Sequence, residues 1–448
     1  MYLLKKIFGT EDHRSQMLRA NILFSLILKV IGLATSVLLV PITLGYLDIE
    51  VYGIWMTISS ILYWFAFFDV GLSNGMRNYL AQSVANGNYE AGKSYVSTTL
   101  IILTAIAVVI GILSVLPLSL LDFQTVFNTT ALSNAYLRDV MIVALLFSIA
   151  IFVVRTFGTV YVALQKYAVN DAINVTGHLL ALLIIYILTK TTSANLMYVV
   201  LALTATPVVV YLLASVPLFW QYPQLKPSFH SYNHAVVKEI IGKGLGFFAI
   251  QITSCLIIFG GSNLIITQYC GPESVTIYNI AYKYFNMLTI GYTIVLAPMW
   301  SAYTDAYAKG DLPWISHTFR RALHAFFILV VAGLIMLALS SMVYSVWVGD
   351  KVYVPFAVSA SVLLYVLTFN FNNCVTYLLN GLNTIFVQII TSVLFTVIYI
   401  GVILLRGGTL GVEGIALSMT VCYGAMGIIH LYQCRLLING KATGIWNR

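Results

Sequence analysis

Long apolar stretches, each punctuated by a few polar residues, follow one another from Asn21 to Arg435. An apolar run of about 18 residues or more is long enough to cross a hydrocarbon core of roughly 30 Å as a helix. The pattern predicts about twelve spans, near 22–46, 51–70, 95–119, 138–163, 168–189, 195–219, 241–267, 274–300, 320–346, 353–379, 384–405 and 411–434. Segments of roughly ten residues with alternating hydropathy, which a membrane barrel would carry, are absent from the pattern. Only helices and closed barrels satisfy their backbone groups in lipid. The expected fold class is an all-α polytopic membrane protein.

The second six spans repeat the design of the first six. Tyr46, Glu50, Ile54, Ala85 and Gly87 recur 223 positions later as Tyr269, Glu273, Ile277, Ala308 and Gly310, in a chain of 448. Locally, Ala-Asn-Gly-Asn at 85–88 is matched by Ala-Lys-Gly-Asp at 308–311. An even number of spans per repeat returns the chain to its starting side, so both halves share one orientation. Such a parallel repeat places the expected substrate path between the halves. The predicted organisation is a six-helix lobe over 1–222, a cytoplasmic linker over 223–240 and a second six-helix lobe over 241–448. It reads as a transporter.

Composition agrees. Hydrophobic residues make up 60% of the chain and charged ones 8%, against about a quarter charged in ordinary soluble domains. The first apolar stretch exceeds the length of a signal-peptide core and lacks a small-residue cleavage site, so it is expected to be the first span. The net charge of +8 sorts by side. With the N-terminus inside, sixteen of the 23 Lys and Arg fall in cytoplasmic segments; only Arg138, Lys190, Lys351 and Arg406 fall outside. Lys29, Arg155 and Lys283 are left at membrane depth. This bias places both termini in the cytoplasm, and the basic excess sets topology rather than pointing to nucleic acid. Residues 1–20 read as an interfacial segment on the cytoplasmic leaflet.

Enzyme chemistry finds little support. Five cysteines form no CxxC pair and behave as small apolar residues; no disulfide, metal or cofactor is expected. His230 and His234 sit in the linker beside Pro223 and Pro227, where a solvated segment is expected rather than a metal site. The external loops are short, and no Walker A loop is present. Uphill transport would draw on an ion gradient (H⁺ or Na⁺), the membrane potential or downstream consumption of product.

Several polar residues fall where transport chemistry would need them. In the first span Asn21, Ser25, Lys29, Gly32 and Ser36 share a face. Lys29 lies about 12 Å in at 1.5 Å per residue, and such a cation normally faces a cavity or bundle interior. In the eighth span Asn279, Lys283, Asn286 and Thr293 share a face. Two cations near mid-membrane suit an anionic substrate such as a phosphate or pyrophosphate; Gln251 in the seventh span is a further candidate cavity residue. Asp69, Ser73 and Arg77 are spaced for an inner gate or a salt-bridged interface. Arg155, near the inner end of the fourth span, is a candidate for gating or ion coupling. So are Asp171 and His178, which share a face with Asn174 in the fifth; a hydrogen-bonded core His is the competing reading of His178. Pro41, Pro298 and Gly260-Gly261-Ser262-Asn263 make the first, eighth and seventh spans candidates for bending.

Three local patterns carry a family resemblance. They are Gly45-Tyr46-Leu47 with Tyr52-Gly53-Ile54-Trp55, then Asp69-Val70-Gly71-Leu72-Ser73, and Ile277-Tyr278-Asn279-Ile280-Ala281-Tyr282-Lys283. With the twelve-span, two-lobe layout, the chain resembles the bacterial polysaccharide flippases (Wzx-type) of the MOP superfamily, which handles multidrug, oligosaccharidyl-lipid and polysaccharide substrates. The resemblance implies the MOP flippase fold, with a cationic cavity lined by spans 1, 2, 7 and 8. It also implies an undecaprenyl-pyrophosphate-linked oligosaccharide flipped to the periplasmic leaflet of the bacterial inner membrane. The pathway would be one of surface polysaccharide, including O-antigen and lipopolysaccharide, with a polymerase and glycosyltransferases as partners. Relatives that flip the peptidoglycan precursor have two further spans, not found here, and their cavity arginines correspond only loosely to Lys29, Arg77 and Lys283. The competing readings are a MATE-like drug/cation antiporter, which would carry acids in its cavity, and a polytopic glycosyltransferase or polysaccharide ligase.

Overall fold

A computed structural model of the chain describes residues 13–64, 72–239 and 261–447. Every regular element among them is helical. The first half supplies α1 (His13–Tyr46), α2 (Ile49–Tyr63), α3 (Leu72–Ala85), α4 (Tyr89–Leu120), the short α5 (Phe123–Phe127), α6 (Asn134–Ala163), α7 (Tyr167–Thr191) and α8 (Leu196–Gln221). Two 3-10 turns over 223–225 and 229–231 follow. The second half supplies α9 (Gly261–Cys270), α10 (Pro272–Ala308), α11 (Leu312–Val348), α12 (Phe356–Gly381) and α13 (Phe386–Ile438).

Eight of the described helices are long and apolar enough to cross a membrane. One of them, α13, runs 53 residues and is two helices joined at Gly411, whose φ of 62° and ψ of −176° break the helical path. Its arms are the predicted spans 384–405 and 411–434. Helix α10 has the length, at 37 residues, and is more polar because it carries the candidate site residues. The chain is an all-α multi-pass membrane protein.

Helix ends reproduce the repeat read from the sequence. Helices α2 and α10 begin at Ile49 and Pro272, α3 and α10 end at Ala85 and Ala308, and α4 and α11 begin at Tyr89 and Leu312. The turns between them are built alike. Gly87 and Gly310 adopt φ of 71° and 72°, a left-handed conformation that costs a residue with a Cβ. The next amide reaches back in the same way, from Asn88 to Ser83 O at 2.9 Å and from Asp311 to Ala306 O at 2.9 Å. Asn88 and Asp311 then cap the following helices through Ala91 N and Trp314 N, both at 3.0 Å, as short polar side chains do at an N-cap.

The chain forms two compact units. Within the described residues, the first comprises the segments ending at Asp48, Ile61–Val126 and Thr130 through the linker; the second comprises Ile49–Ser60, Phe127–Thr129 and the segments from Gly261 onward. The core of the first unit gathers Leu72, Met76 and Leu80 of α3 with Leu103, Tyr211 and Leu225. Lipid is as apolar as leucine, so close packing must come from small residues where helices meet. Gly177 meets Pro207 in the first unit; in the second, Gly407 meets Tyr269 and Gly427 meets Phe371. Pro41 and Pro298 lie inside unbroken helices. The predicted interruption of the seventh span is not found over Gly261–Asn263, which are helical; Gly260 lies outside the described residues. The reason is that Asn263 and Ser262 are held by neighbours, Met56 and Met419.

Candidate functional site

The second unit holds the most developed polar site, and its unusual feature is α2. A glycine lets the backbones touch: a Cβ on Gly53 would fall 1.8 Å from the Pro272 carbonyl oxygen. Side chains then fasten α2 along its length. Thr276 donates to Ile49 O at 2.7 Å, Thr57 and Thr267 share a hydroxyl bond at 2.5 Å, and Asn263 donates to Met56 O at 3.2 Å. Glu50 accepts from Thr129. Asn128 donates to the Thr267 and Gln268 carbonyls at 3.3 Å near the C-terminal end of α9, where the Thr267 carbonyl also accepts from Gly271 N at 3.0 Å.

Lys283 lies in this setting on α10. It is half-buried, and its ammonium meets the Tyr52 hydroxyl at 3.5 Å. A lysine carries three donors, so this long contact leaves at least two of them without a partner among the described residues. No carboxylate forms an ion pair with the ammonium among the described residues. Asn279, one turn earlier, is 7% exposed and donates to Asn263 Oδ1 at 3.0 Å. It orients the Asn263 amide and does not stand open. Asn286 is half-buried on the same helix. Behind Lys283 a run of tyrosine rings crosses from α10 to α13: Tyr278 to Tyr282 at 5.9 Å, Tyr282 to Tyr365 at 6.1 Å and Tyr365 to Tyr423 at 5.9 Å. The rings cover one another and fix the face of α10 that carries the lysine.

The first unit gathers a second polar cluster. Tyr211 of α8, 2% exposed, donates to Asn174 Oδ1 at 3.0 Å, while Asn174 Nδ2 donates to Asn170 O at 2.9 Å. Arg155, exposed on α6, and Asp171 lie near enough to act on the same phenol electrostatically. Gly158 makes the space, since a Cβ there would lie 2.2 Å from Asn170 Oδ1 and 2.7 Å from the Tyr211 ring.

Other candidates stand apart. Lys29 is exposed on the first unit. Gly32 on the same stripe packs against Val175 of α7, and the Ser36 hydroxyl bonds its own helix at Leu33 O, 2.8 Å away. Of Ser25 only the backbone is described. Arg77 is half-buried on α3. Gln251 and Asp69 lie outside the described residues. His178 is exposed and joins neither cluster, so the core reading does not apply to it. Among the histidines whose side chains are described, the buried one is His430, held by Asn372 and Thr391 at 2.9 Å each. Tyr211 and His430 were not singled out by sequence, and Tyr52 entered only as part of the Tyr52-Gly53-Ile54-Trp55 pattern, with no role of its own. A tyrosine or histidine in an apolar run carries no mark of its partners, which lie 231, 37 and 58 positions away.

No protein-family model matches the chain, and no curated protein matches it significantly. Solved structures do match. An inward-facing multidrug resistance MATE family transporter of the MOP superfamily aligns with a TM-score of 0.73 at 15% identity, over 92% of this chain and 95% of that one. An outward-facing multidrug resistance MATE family transporter aligns at 0.61 and 16% identity, over 97% and 100%. A MOP-superfamily transporter from Pyrococcus furiosus, whose binding pocket of reverse polarity suggests a different function, aligns at 0.59 and 14% identity, over 98% of this chain and 99% of that one. Identities this low establish the fold and no more: the chain has the helical fold of these MOP-superfamily transporters.

Proposed function

We propose that the protein is a transporter that flips an undecaprenyl-pyrophosphate-linked oligosaccharide across the bacterial inner membrane by alternating access, from the cytoplasmic to the periplasmic leaflet, for surface polysaccharide synthesis. The observation that carries this reading is the state of Lys283. A cation at membrane depth costs about 2.5–3.5 kcal/mol on insertion scales, and it is normally paired. Here its partner is a neutral phenol at 3.5 Å, no anion among the described residues compensates it, and a pyrophosphate would supply the missing charge. Lysine serves phosphate as a point charge and does not need bidentate geometry. Lys29, also without an ion pair among the described residues, extends the cationic character to the first unit. The reverse pocket polarity reported for the Pyrococcus furiosus structure fits a fold that hosts substrates of either sign.

Lys283→Arg and Lys29→Arg are expected to retain polymer export in a complementation assay, and the Gln variants to lose most of it at normal membrane abundance. Equal activity of Gln and Arg at both sites would remove the anionic substrate. Reporter fusions are expected to put both termini and the 223–240 linker in the cytoplasm, beside the glycosyltransferases that assemble the substrate. The product leaves on the side where a polymerase acts.

A second reading is a MATE-like cation antiporter. It is favoured by the names of the matching structures and by the Arg155–Asp171–Tyr211 cluster, which provides an acid for ion exchange. Efflux of a cationic dye that depends on Asp171 would support it.

A further inference from the structure

A groove between α4 and α6 of the first unit is not used by the proposed transport. It has a volume of about 330 Å³ and is walled by Gly111, Ser114 and Leu118 of α4 and Ile142, Leu145 and Ile149 of α6, with Arg138 at one end. The sequence makes the gap: Gly111 and Ser114 place almost no side chain where their neighbours carry valine, isoleucine and leucine. A Cβ on Gly111 would still be 3.9 Å from the nearest atom, Ile149 Cδ1. The walls are apolar in effect, because Ser114 and Ser119, also on the wall, bond to their own helix at Gly111 O, 2.7 Å, and Leu116 O, 2.8 Å. Around the groove the surface faces lipid: Ile112 is 65% exposed and Leu113 69%.

We infer that the groove binds one phospholipid of the external leaflet, with an acyl chain between the helices and its phosphate on Arg138. Length fits. From Arg138 to Ile149 is about 16 Å at 1.5 Å per residue, close to half of a hydrocarbon core of roughly 30 Å, so the groove spans one leaflet. Charge fits too. Arg138 is exposed at the head of the groove, and guanidinium binds phosphate through charge-assisted bonds. Asp139, on the adjoining position, is exposed but does not line the groove.

Native mass spectrometry of the full-length protein in detergent tests this, with phosphatidylglycerol as the probe. One tightly held lipid per chain is expected. Arg138→Gln, at an exposed position, should lower the occupancy about tenfold, the loss of one charge-assisted contact. Gly111→Leu, whose Cβ would meet only the Ile149 side chain at 3.9 Å, should also remove the lipid, and thermal unfolding checks that both variants are folded. Retention of the lipid by Arg138→Gln overturns the phosphate contact, and retention by Gly111→Leu overturns the groove. Preferential loading of a polyprenyl phosphate over phosphatidylglycerol overturns the phospholipid assignment.

Discussion

Lys283 on α10 directs its ammonium to the hydroxyl of Tyr52 on α2, 3.5 Å away, and Tyr52 is itself 1% exposed. The buried phenol is thus placed to steer the lysine without neutralising it. Tyr52→Phe keeps the ring and deletes the contact, so export should fall by the worth of one hydrogen bond, about 0.5–1.5 kcal/mol. The double variant Tyr52→Phe with Lys283→Gln should be no worse than Lys283→Gln alone, because the phenol then has nothing to orient. Additive losses in export rate would mean that the two residues act separately.

The seat of α2 rests on Gly53. A methyl group there would need to occupy space 1.8 Å from Pro272 O, and overpacking of this kind costs about 1–3 kcal/mol. Gly53→Ala should therefore lower the thermal midpoint of the purified protein and weaken export. Gly291→Ala is the control, with nothing within 4 Å of the new Cβ; it should be neutral or mildly stabilising, as helical Gly→Ala changes usually are. Equal midpoints for the two variants would show that α2 does not need the close approach.

The paired turns give a test of the repeat. Gly87 and Gly310 share φ near 71° and 72° and stand with open space around a Cβ, so packing does not enter. Gly87→Val and Gly310→Val should each cost about 1–2 kcal/mol of backbone strain, by nearly the same amount, read as matched drops in thermal midpoint. A large cost at one turn and none at the other would break the equivalence.

Much of the fold was legible because span prediction depends on local hydropathy. The predicted 138–163 and 195–219 correspond to Asn134–Ala163 and Leu196–Gln221. Errors gather at helix ends, where caps decide. Tyr89–Leu120 begins earlier than the predicted 95 because Asn88 caps a polar first turn through Ala91 N. The site was less legible. Lys29, Lys283 and Arg155 were conspicuous as charges at membrane depth, where charge is costly, and Asp171 as an acid sharing a face with Asn174 and His178. Their partners were not, since Tyr52 and Tyr211 look like ordinary aromatic residues in apolar helices. The placement of Ile49–Ser60 in the second unit was also hidden. It depends on a glycine meeting a carbonyl and on hydroxyl pairs such as Thr57–Thr267, 210 positions apart, which no periodicity records.

The most direct test of the central claim is a flipping assay in proteoliposomes. Purified protein is reconstituted with a fluorescent undecaprenyl-pyrophosphate-linked oligosaccharide, and movement between leaflets is followed by loss of protection from a quencher that cannot cross the bilayer. Parallel vesicles are loaded with a cationic dye. The account predicts lipid translocation by the wild type, strongly reduced translocation by Lys283→Gln, partial recovery in Lys283→Arg and no transport of the dye. Translocation unaffected by Lys283→Gln, or dye transport without lipid translocation, would contradict it.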